Sequence, residues 1–184
     1  MPPISRAVRV AKSLIESEGI RRPFVPVERI AERYAVIVRE EMPEDVSGML
    51  VPLPGESSQA KWAIVVNSAH PPVRQRFTIA HELGHALLHH YSAPHADGRL
   101  GVFFRDADSS KGSVRHEIEA NQFAAELLMP EELIRMLFSR LQFDLADAAD
   151  DEKALKAVAR LAKLFKVSIQ ALTFRIAKLS ALNT

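Results

Sequence analysis

The chain has 184 residues, 47% of them hydrophobic, and a formal net charge of +1, which is typical of a globular domain and gives no overall signal for nucleic acid. It contains no cysteine, which excludes disulfides, thiolate metal ligands and a cysteine nucleophile. No apolar run approaches the roughly 20 residues of a membrane span, and no signal peptide is evident, so we expect a cytoplasmic protein without a membrane partner.

The first part of the chain predicts two helices followed by three strands. Apolar residues at helical spacing predict a helix over residues 4–18, ended by Gly19, and Pro26 opens a short helix over residues 27–34. Short apolar runs bounded by turn-rich segments predict the strands: residues 35–39, 48–53 and 62–67. We expect them to form a small antiparallel three-stranded sheet.

The second part predicts helices and one long loop. Pro71 and Pro72 open a helix that runs to about residue 90, and the composition of residues 92–114 is typical of a surface loop. The remaining sequence predicts four more helices: residues 114–129, 131–141, 152–165 and 168–179. An order of helices, strands and helices indicates the α+β class.

The long predicted helix contains a metal-binding pattern, because residues 81–85 read HELGH and have the form HExxH. His81 and His85 are four residues apart, on one helix face, and can bind one ion at about 2 Å. Glu82 can take a proton from a water molecule on that ion. The pattern predicts a zinc-dependent peptidase with Glu82 as the general base.

The surroundings of this pattern favour a metal site over chance occurrence. An apolar stripe predicts a core helix: Val73, Phe77, Ala80, Gly84 and Leu87. The histidines lie at the edge of the stripe, where burying an unpaired His or Glu would be unfavourable and a metal accounts for both. A glycine at position 84 costs about 1 kcal/mol against alanine, which makes sense if another element approaches the helix closely there.

A catalytic zinc site needs a third protein ligand. The metzincin pattern is excluded, because Leu88 and Tyr91 stand where it requires glycine and histidine. His89 lies two turns beyond His81, too far along the helix axis for both to share one ion with His85. We therefore expect the third ligand to be a glutamate from a separate helix.

The helix predicted over residues 114–129 offers two nearby glutamates. Glu117 and Asn121 are four residues apart and share a face, so Glu117 can bind the metal while Asn121 orients a ligand histidine. Glu119 points roughly 200° away around the helix and is the less favoured alternative. The other interpretation of Glu119 and of Glu126 is a solvated helix face.

At these residues the sequence resembles the ImmA/IrrE family of metallopeptidases. The match comprises residues 76–85 (RFTIAHELGH), Glu117, residues 121–130 (NQFAAELLMP) and the strand IVVN at 64–67, within a resemblance over roughly residues 5–180. It implies a zincin-like fold of the Glu-ligand type, with zinc on His81, His85 and Glu117 and with Glu82 as base. Manganese or another divalent ion also suits these ligands.

The resemblance also implies a partner. Family members look like cytoplasmic endopeptidases that cut or otherwise inactivate a repressor with an XRE-type helix-turn-helix, which leads to derepression. The chain looks like a stand-alone peptidase, so the expected partner is a helix-turn-helix repressor encoded nearby.

Two details of the predicted site remain open. By resemblance to zincins, the strand before the active-site helix pairs with an extended substrate, and the alternative is an ordinary internal strand. The candidate substrate-binding residues lie on this strand: Trp62, Ile64, Val66 and Asn67. The residue that stabilises the oxyanion is one of several candidates: Tyr91, His95, Arg115 and His116.

The C-terminal part supports a rival hypothesis. Residues 153–184 contain seven Lys and Arg and no acidic residue, and their two amphipathic helices, with Ser168 as an N-cap, resemble a helix-turn-helix. The alternative function is therefore a DNA-binding regulator with a residual peptidase scaffold. Its polar readers would be these residues: Gln170, Thr173, Arg175 and Lys178. We expect instead that residues 146–184 pack on the peptidase domain of residues 1–145, with substrate docking as a third possibility and nucleic acid as a disfavoured partner.

Overall fold

The computed structural model describes residues 5–53, 61–89, 95–98, 110–145 and 151–181. Its elements in chain order are α1 (Arg6–Ser17), α2 (Val27–Ala31), β1 (Ala35–Glu40), β2 (Val46–Pro52), β3 (Trp62–Asn67), α3 (Pro72–Leu88), β4 (His95–Gly98), α4 (Ser110–Leu128), α5 (Glu131–Leu145), α6 (Asp151–Phe165) and α7 (Ile169–Ala181). The predicted α+β class is confirmed, and the ends of the predicted elements differ from these by a few residues. Among the described helices, none is long and apolar enough to cross a membrane.

The sheet is mixed and has four strands in the order β1-β3-β2-β4. β3 pairs in parallel with β1 and antiparallel with β2, and β4 pairs antiparallel with the other edge of β2. The predicted antiparallel three-stranded sheet is therefore wrong. The fourth strand of the observed sheet, β4, lies within residues 92–114, where the composition predicts a loop.

The mixed pairing follows from the central position of β3. Its side chains at Ala63, Ile64 and Val66 are buried, so this strand is covered on both faces. A strand with that pattern is favoured in the interior of a sheet. Since β1 and β2 run in opposite directions on either side of β3, only one of them can be antiparallel to it.

Asn67, at the end of β3, closes the connection between β1 and β2. Its buried amide group donates to the carbonyl oxygens of Met42, Pro43 and Val46 at 3.0, 3.1 and 2.8 Å. Its side-chain oxygen accepts from the backbone N–H of Met42 and of Ala69. The side chain therefore satisfies backbone groups on both sides of the connection between β1 and β2.

β3 cannot bind a substrate by strand addition, because both of its edges are paired. Residues Trp62–Asn67 pair with β1, and all but the last of them pair with β2. Ile64, Val66 and Asn67 are also fully buried. The predicted substrate-binding role of Trp62, Ile64, Val66 and Asn67 is wrong, and the interpretation as an internal strand holds.

Helix α3 lies between the sheet and the helical part of the molecule. It packs against β2 and β3 and also against α4 and α2. Pro72 occupies its first turn, where the missing N–H of proline costs no helical hydrogen bond. The helix is therefore covered on two sides, and its middle turns, including His81, Glu82 and His85, are buried.

The last two helices pack on the same core as the rest of the chain. Phe165 from α6 and Leu172 and Leu179 from α7 belong to the buried cluster that also contains Phe123 of α4. Between the two helices, the hydroxyl of Ser168 accepts from the N–H of Ala171 at 3.1 Å, which is the predicted N-cap.

Candidate metal centre

Helices α3 and α4 bring three ligand-type side chains to one point. The Nε2 atoms of His81 and His85 are 3.0 Å apart. The carboxylate oxygens of Glu117 lie 3.3 Å from Nε2 of His81 and 3.5 Å from Nε2 of His85. All three groups lie within 4.8 Å of one another, and within the described ranges no other set of three such residues meets this condition.

This donor set fits a divalent cation. A neutral imidazole presents one lone pair and a carboxylate presents several, so His81, His85 and Glu117 together direct electron pairs at a shared position. Two imidazole nitrogens and one carboxylate are a usual ligand set for catalytic zinc. The two histidines are buried and Glu117 is partly exposed, so the position is closed from the core side and accessible on the side of α4.

Asn121 determines which nitrogen of His81 faces this position. Its Oδ1 atom lies 3.1 Å from Nδ1 of His81, one turn of α4 beyond Glu117. An amide oxygen accepts a hydrogen bond, so the proton of the ring is held on Nδ1 and the lone pair of Nε2 is directed at the position shared with His85 and Glu117. The contact places Asn121 beside His81, and its role in orienting a ligand histidine stays a prediction.

Glu82 is fully buried beside the histidines, on the side of α3 that faces β2. A Cβ atom built on Gly48 of β2 would lie 3.6 Å from its Oε1 atom. On the other side, a Cβ built on Gly84 would lie 3.0 Å from Cδ1 of Phe123 and 3.3 Å from Cα of Ala120. The close approach expected at Gly84 is therefore confirmed, with α4 as the approaching element.

Glu119 turns away from this centre. Its carboxylate accepts from Nε of Arg115 at 3.1 Å and lies 3.9 Å from Nε2 of His89. The ring of His89 stacks on that of His116, with a centroid distance of 3.9 Å. Burial, together with the nearby His116, lowers the pKa of His89 to about 4 against the opposing effect of Glu119. His89 is therefore neutral at physiological pH.

Four residues are predicted candidates for stabilising the oxyanion, and the structure describes the side chains of two of them. Arg115 is paired with Glu119, and His116 is stacked on His89. Tyr91 lies outside the described residues, as does the side chain of His95, although the backbone of His95 begins β4.

Glu126 is buried, so its interpretation as part of a solvated face is wrong. One carboxylate oxygen accepts from the N–H of Glu131 at 3.2 Å, and the other is paired with the guanidinium of Arg175 on α7. Nε of Arg175 also donates to the carbonyl oxygen of Met129 at 3.3 Å. One of the four proposed DNA readers is thus engaged inside the molecule.

The sequence analysis did not predict two of these contacts, that of Gly48 with α3 and that of Glu126 with Arg175. The sequence contains one indication of the first contact, since a glycine within a strand pattern indicates close approach of another backbone. The pair of Glu126 and Arg175 carried none, because no local pattern connects residues 49 positions apart.

Comparisons with known proteins indicate the family of this chain. The family model of Peptidase M78, described as the IrrE N-terminal-like domain, matches residues 27–177. The radiation response metalloprotease IrrE of Deinococcus radiodurans is 40% identical over 78 residues, which cover 42% of this chain and 22% of that protein. The protein of the same name from Deinococcus deserti is 40% identical over 77 residues, which cover 42% of this chain and 26% of that protein.

Two further matches are a phage protein and a solved structure. Uncharacterized immunity region protein 2 of Bacillus phage phi105 is 34% identical over 86 residues, which cover 47% of this chain and 49% of that protein. The solved structure of a Mycobacterium tuberculosis transcriptional regulator superposes with a TM-score of 0.59 at 17% sequence identity. The match covers 95% of this chain and 47% of that protein, and it shows a shared fold. The matched segments span less than half of each of these relatives. Because the family model covers most of the chain and contains the whole centre described above, the chain belongs to the family of the IrrE N-terminal-like domain, and the ImmA/IrrE resemblance is confirmed.

Proposed function

We propose that this chain is a zinc-dependent endopeptidase that hydrolyses a peptide bond in a partner protein. The observation that carries the proposal is the convergence of His81, His85 and Glu117 within 4.8 Å, directly beside a buried glutamate at position 82. In this proposal the fold is zincin-like and of the Glu-ligand type. The name of the Deinococcus relatives, radiation response metalloprotease, supports the same chemistry.

His81, His85 and Glu117 would hold the ion, and Asn121 would keep the ring of His81 in the orientation that directs Nε2 at the ion. A bound divalent ion would polarise the scissile carbonyl and lower the pKa of a water molecule in the site. Zinc suits two imidazoles and one carboxylate, and manganese is compatible with the same donors.

Glu82 is the proposed proton carrier. It follows His81 directly on α3, so its carboxylate lies next to the ligand set rather than within it. In the reaction it would accept a proton from the attacking water and deliver it to the nitrogen of the leaving amine. Full burial of Glu82 keeps bulk water away from that transfer.

An extended substrate would pair with the outer edge of β4. β4 stands at the end of the sheet next to β2, and among the described strands none lies beyond it. Strand addition requires an edge of this kind, because the peptide must find unpaired backbone N–H and C=O groups. β1 forms the other edge of the sheet, but β4 is the edge beside β2, the strand whose Gly48 lies next to Glu82, so β4 is the proposed position.

We propose further that the partner is a transcriptional repressor with an XRE-type helix-turn-helix, encoded nearby, and that its cleavage gives derepression in the cytoplasm. Two relatives support a regulatory substrate, since one is named for an immunity region of a phage and the other for a radiation response. DNA binding by α7 is not proposed, because Arg175 is buried in an ion pair with Glu126.

The test compares wild-type protein with Glu82→Gln, using zinc-loaded protein and the repressor encoded beside the gene. Glutamine keeps the shape of the side chain but cannot accept the proton, so we expect repressor cleavage to fall at least about a hundredfold. Bound zinc, measured by atomic absorption, should remain unchanged. Normal cleavage by Glu82→Gln would refute the proposed mechanism, and a chelator-insensitive gel shift with operator DNA would support the rival function.

A further inference from the structure

Helix α3 is approached closely on two sides at two glycines. Gly48 of β2 faces the side of the helix that carries Glu82, and Gly84 of the helix itself faces α4. The two contacts therefore involve different functional groups of the same centre. One concerns the proposed base, and the other concerns the helix that carries Glu117.

At Gly48 there is no space for a side chain. A Cβ atom there would collide with Cγ2 of Thr78 and lie 2.9 Å from the carbonyl oxygen of Val65. Thr78 is tied to the helix through its hydroxyl, which donates to the carbonyl oxygen of Arg74 at 3.1 Å, and the Val65 oxygen belongs to the backbone of β3. Because neither atom can yield easily, an alanine would push β2 away from α3 at Glu82, which lies one turn after Thr78.

At Gly84 the crowding comes from α4. Phe123 and Ala120 are fully buried and lie 3.0 to 3.3 Å from the position of an added Cβ. A close-packed interior answers such an insertion by small shifts of whole elements. α4 would therefore move outward by a few tenths of an ångström and carry Glu117 away from His81 and His85.

We propose that Gly48 and Gly84 are positioning residues with separate tasks: Gly48 holds the base Glu82 in place through β2, and Gly84 sets the distance between the histidine pair and Glu117. The role of Gly48 in holding the base rests on the proposed peptidase function. The role of Gly84 in metal binding rests only on the geometry of His81, His85 and Glu117.

The experiment compares wild type, Gly48→Ala and Gly84→Ala in zinc titrations and in kinetics with fluorescein-labelled casein and with the neighbouring repressor. For Gly48→Ala we expect unchanged zinc affinity and KM, with kcat lower by about 10- to 100-fold, because the base is misplaced. For Gly84→Ala we expect zinc affinity about 10-fold weaker, with a smaller loss of kcat once the protein is saturated with zinc.

A second substitution separates positioning from general damage to the fold. Thr78→Ser removes the Cγ2 methyl that blocks a side chain at position 48 and retains the hydroxyl that bonds Arg74. Adding it to Gly48→Ala should restore part of kcat, because the carbonyl oxygen of Val65 still crowds the added Cβ, while Thr78→Ser alone should resemble wild type. If both glycine variants lose zinc affinity and kcat together, in proportion to their loss of stability in urea, the separate tasks are refuted.

Crystal structures of the zinc-loaded proteins decide the inference independently of activity. It holds if Gly48→Ala displaces the carboxylate of Glu82 while His81, His85 and Glu117 superpose on the wild type, and it is refuted if Glu82 stays in place. If the wild-type protein cleaves neither casein nor the repressor, the proposed function fails, and these structures together with the zinc titrations still decide the roles of the two glycines.

Discussion

At His81, the amide of Asn121 contacts the ring nitrogen that points away from His85 and Glu117. Asn121 Oδ1 lies 3.1 Å from Nδ1, so replacement by alanine frees the ring to rotate and to change tautomer. We expect Asn121→Ala to weaken zinc binding by about 10- to 100-fold, as measured by isothermal titration. Asn121→Asp keeps an acceptor at the same position and should stay close to wild type. Equal affinity of the alanine variant and wild type would contradict this role.

We expect opposite effects on zinc binding from substitutions at Glu117 and Glu119, although these residues are only two positions apart on α4. Glu117 faces both histidines, whereas Glu119 contacts Arg115 and lies near His89. We therefore expect Glu117→Ala to lose bound zinc and Glu119→Ala to retain it, with metal content measured after dialysis. Retention in the first variant and loss in the second would reverse the assignment of the third ligand.

The residues of the centre were readable from the sequence because helical periodicity brings them together. HExxH and the pair Glu117 and Asn121 each rely on a spacing of four residues, which local geometry determines. The contacts of Gly48 and of Glu126 could not be predicted in this way. Each depends on which distant element packs against the residue, and that is decided by the tertiary structure.

Among the elements, the turn between α6 and α7 contains a strained residue. Lys166 has a φ of 52°, in the left-handed region that disfavours side chains, and its ammonium lies 4.3 Å from the centroid of the Phe24 ring. Both Lys166→Ala and Lys166→Gly lose the contact with Phe24, but only glycine relieves the backbone. We expect the glycine variant to be more stable than the alanine variant by about 1 kcal/mol in urea unfolding. Equal stability would mean that the turn relaxes without strain.

The positions of the strands were predictable, whereas their order in the sheet was not. Apolar runs between turn segments indicated three of the four strands, since that pattern is local. The insertion of β3 between β1 and β2 depends on competition for the interior of the sheet, and a run of apolar residues does not specify its neighbours. In this strand order β4 offers an edge for the proposed peptide pairing, and β3 does not.

For the molecule as a whole, the ion pair of Glu126 and Arg175 joins the helix of the metal centre to the last helix. Both side chains are buried, and Glu126 also receives the N–H of Glu131 at the start of α5. Arg175→Met leaves a buried carboxylate without its counter-charge, so we expect a loss of about 3 kcal/mol in the free energy of unfolding.

A partner substitution tests this interpretation of the ion pair. Glu126→Gln combined with Arg175→Met removes both charges and keeps a side chain that can accept from Glu131, so it should recover much of the stability lost in Arg175→Met alone. Simple additivity of the two losses would show that the charges act independently.

A gel shift that is equally weak in wild type and Arg175→Met would agree with the absence of a DNA-reading role.

The central position of β3 also limits when the sheet can form during synthesis. β1 and β2 are not neighbours in the sheet, so they have no shared ladder until residues Trp62–Asn67 have left the ribosome and can enter between them. His81, Glu82 and His85 follow soon after on α3, and Glu117 emerges only with α4. β4, the last strand of the sheet, emerges between the histidines and Glu117, so a nascent chain can complete both its sheet and its ligand set only after α3, and any hydrolytic capacity of the centre must await the fourth helix.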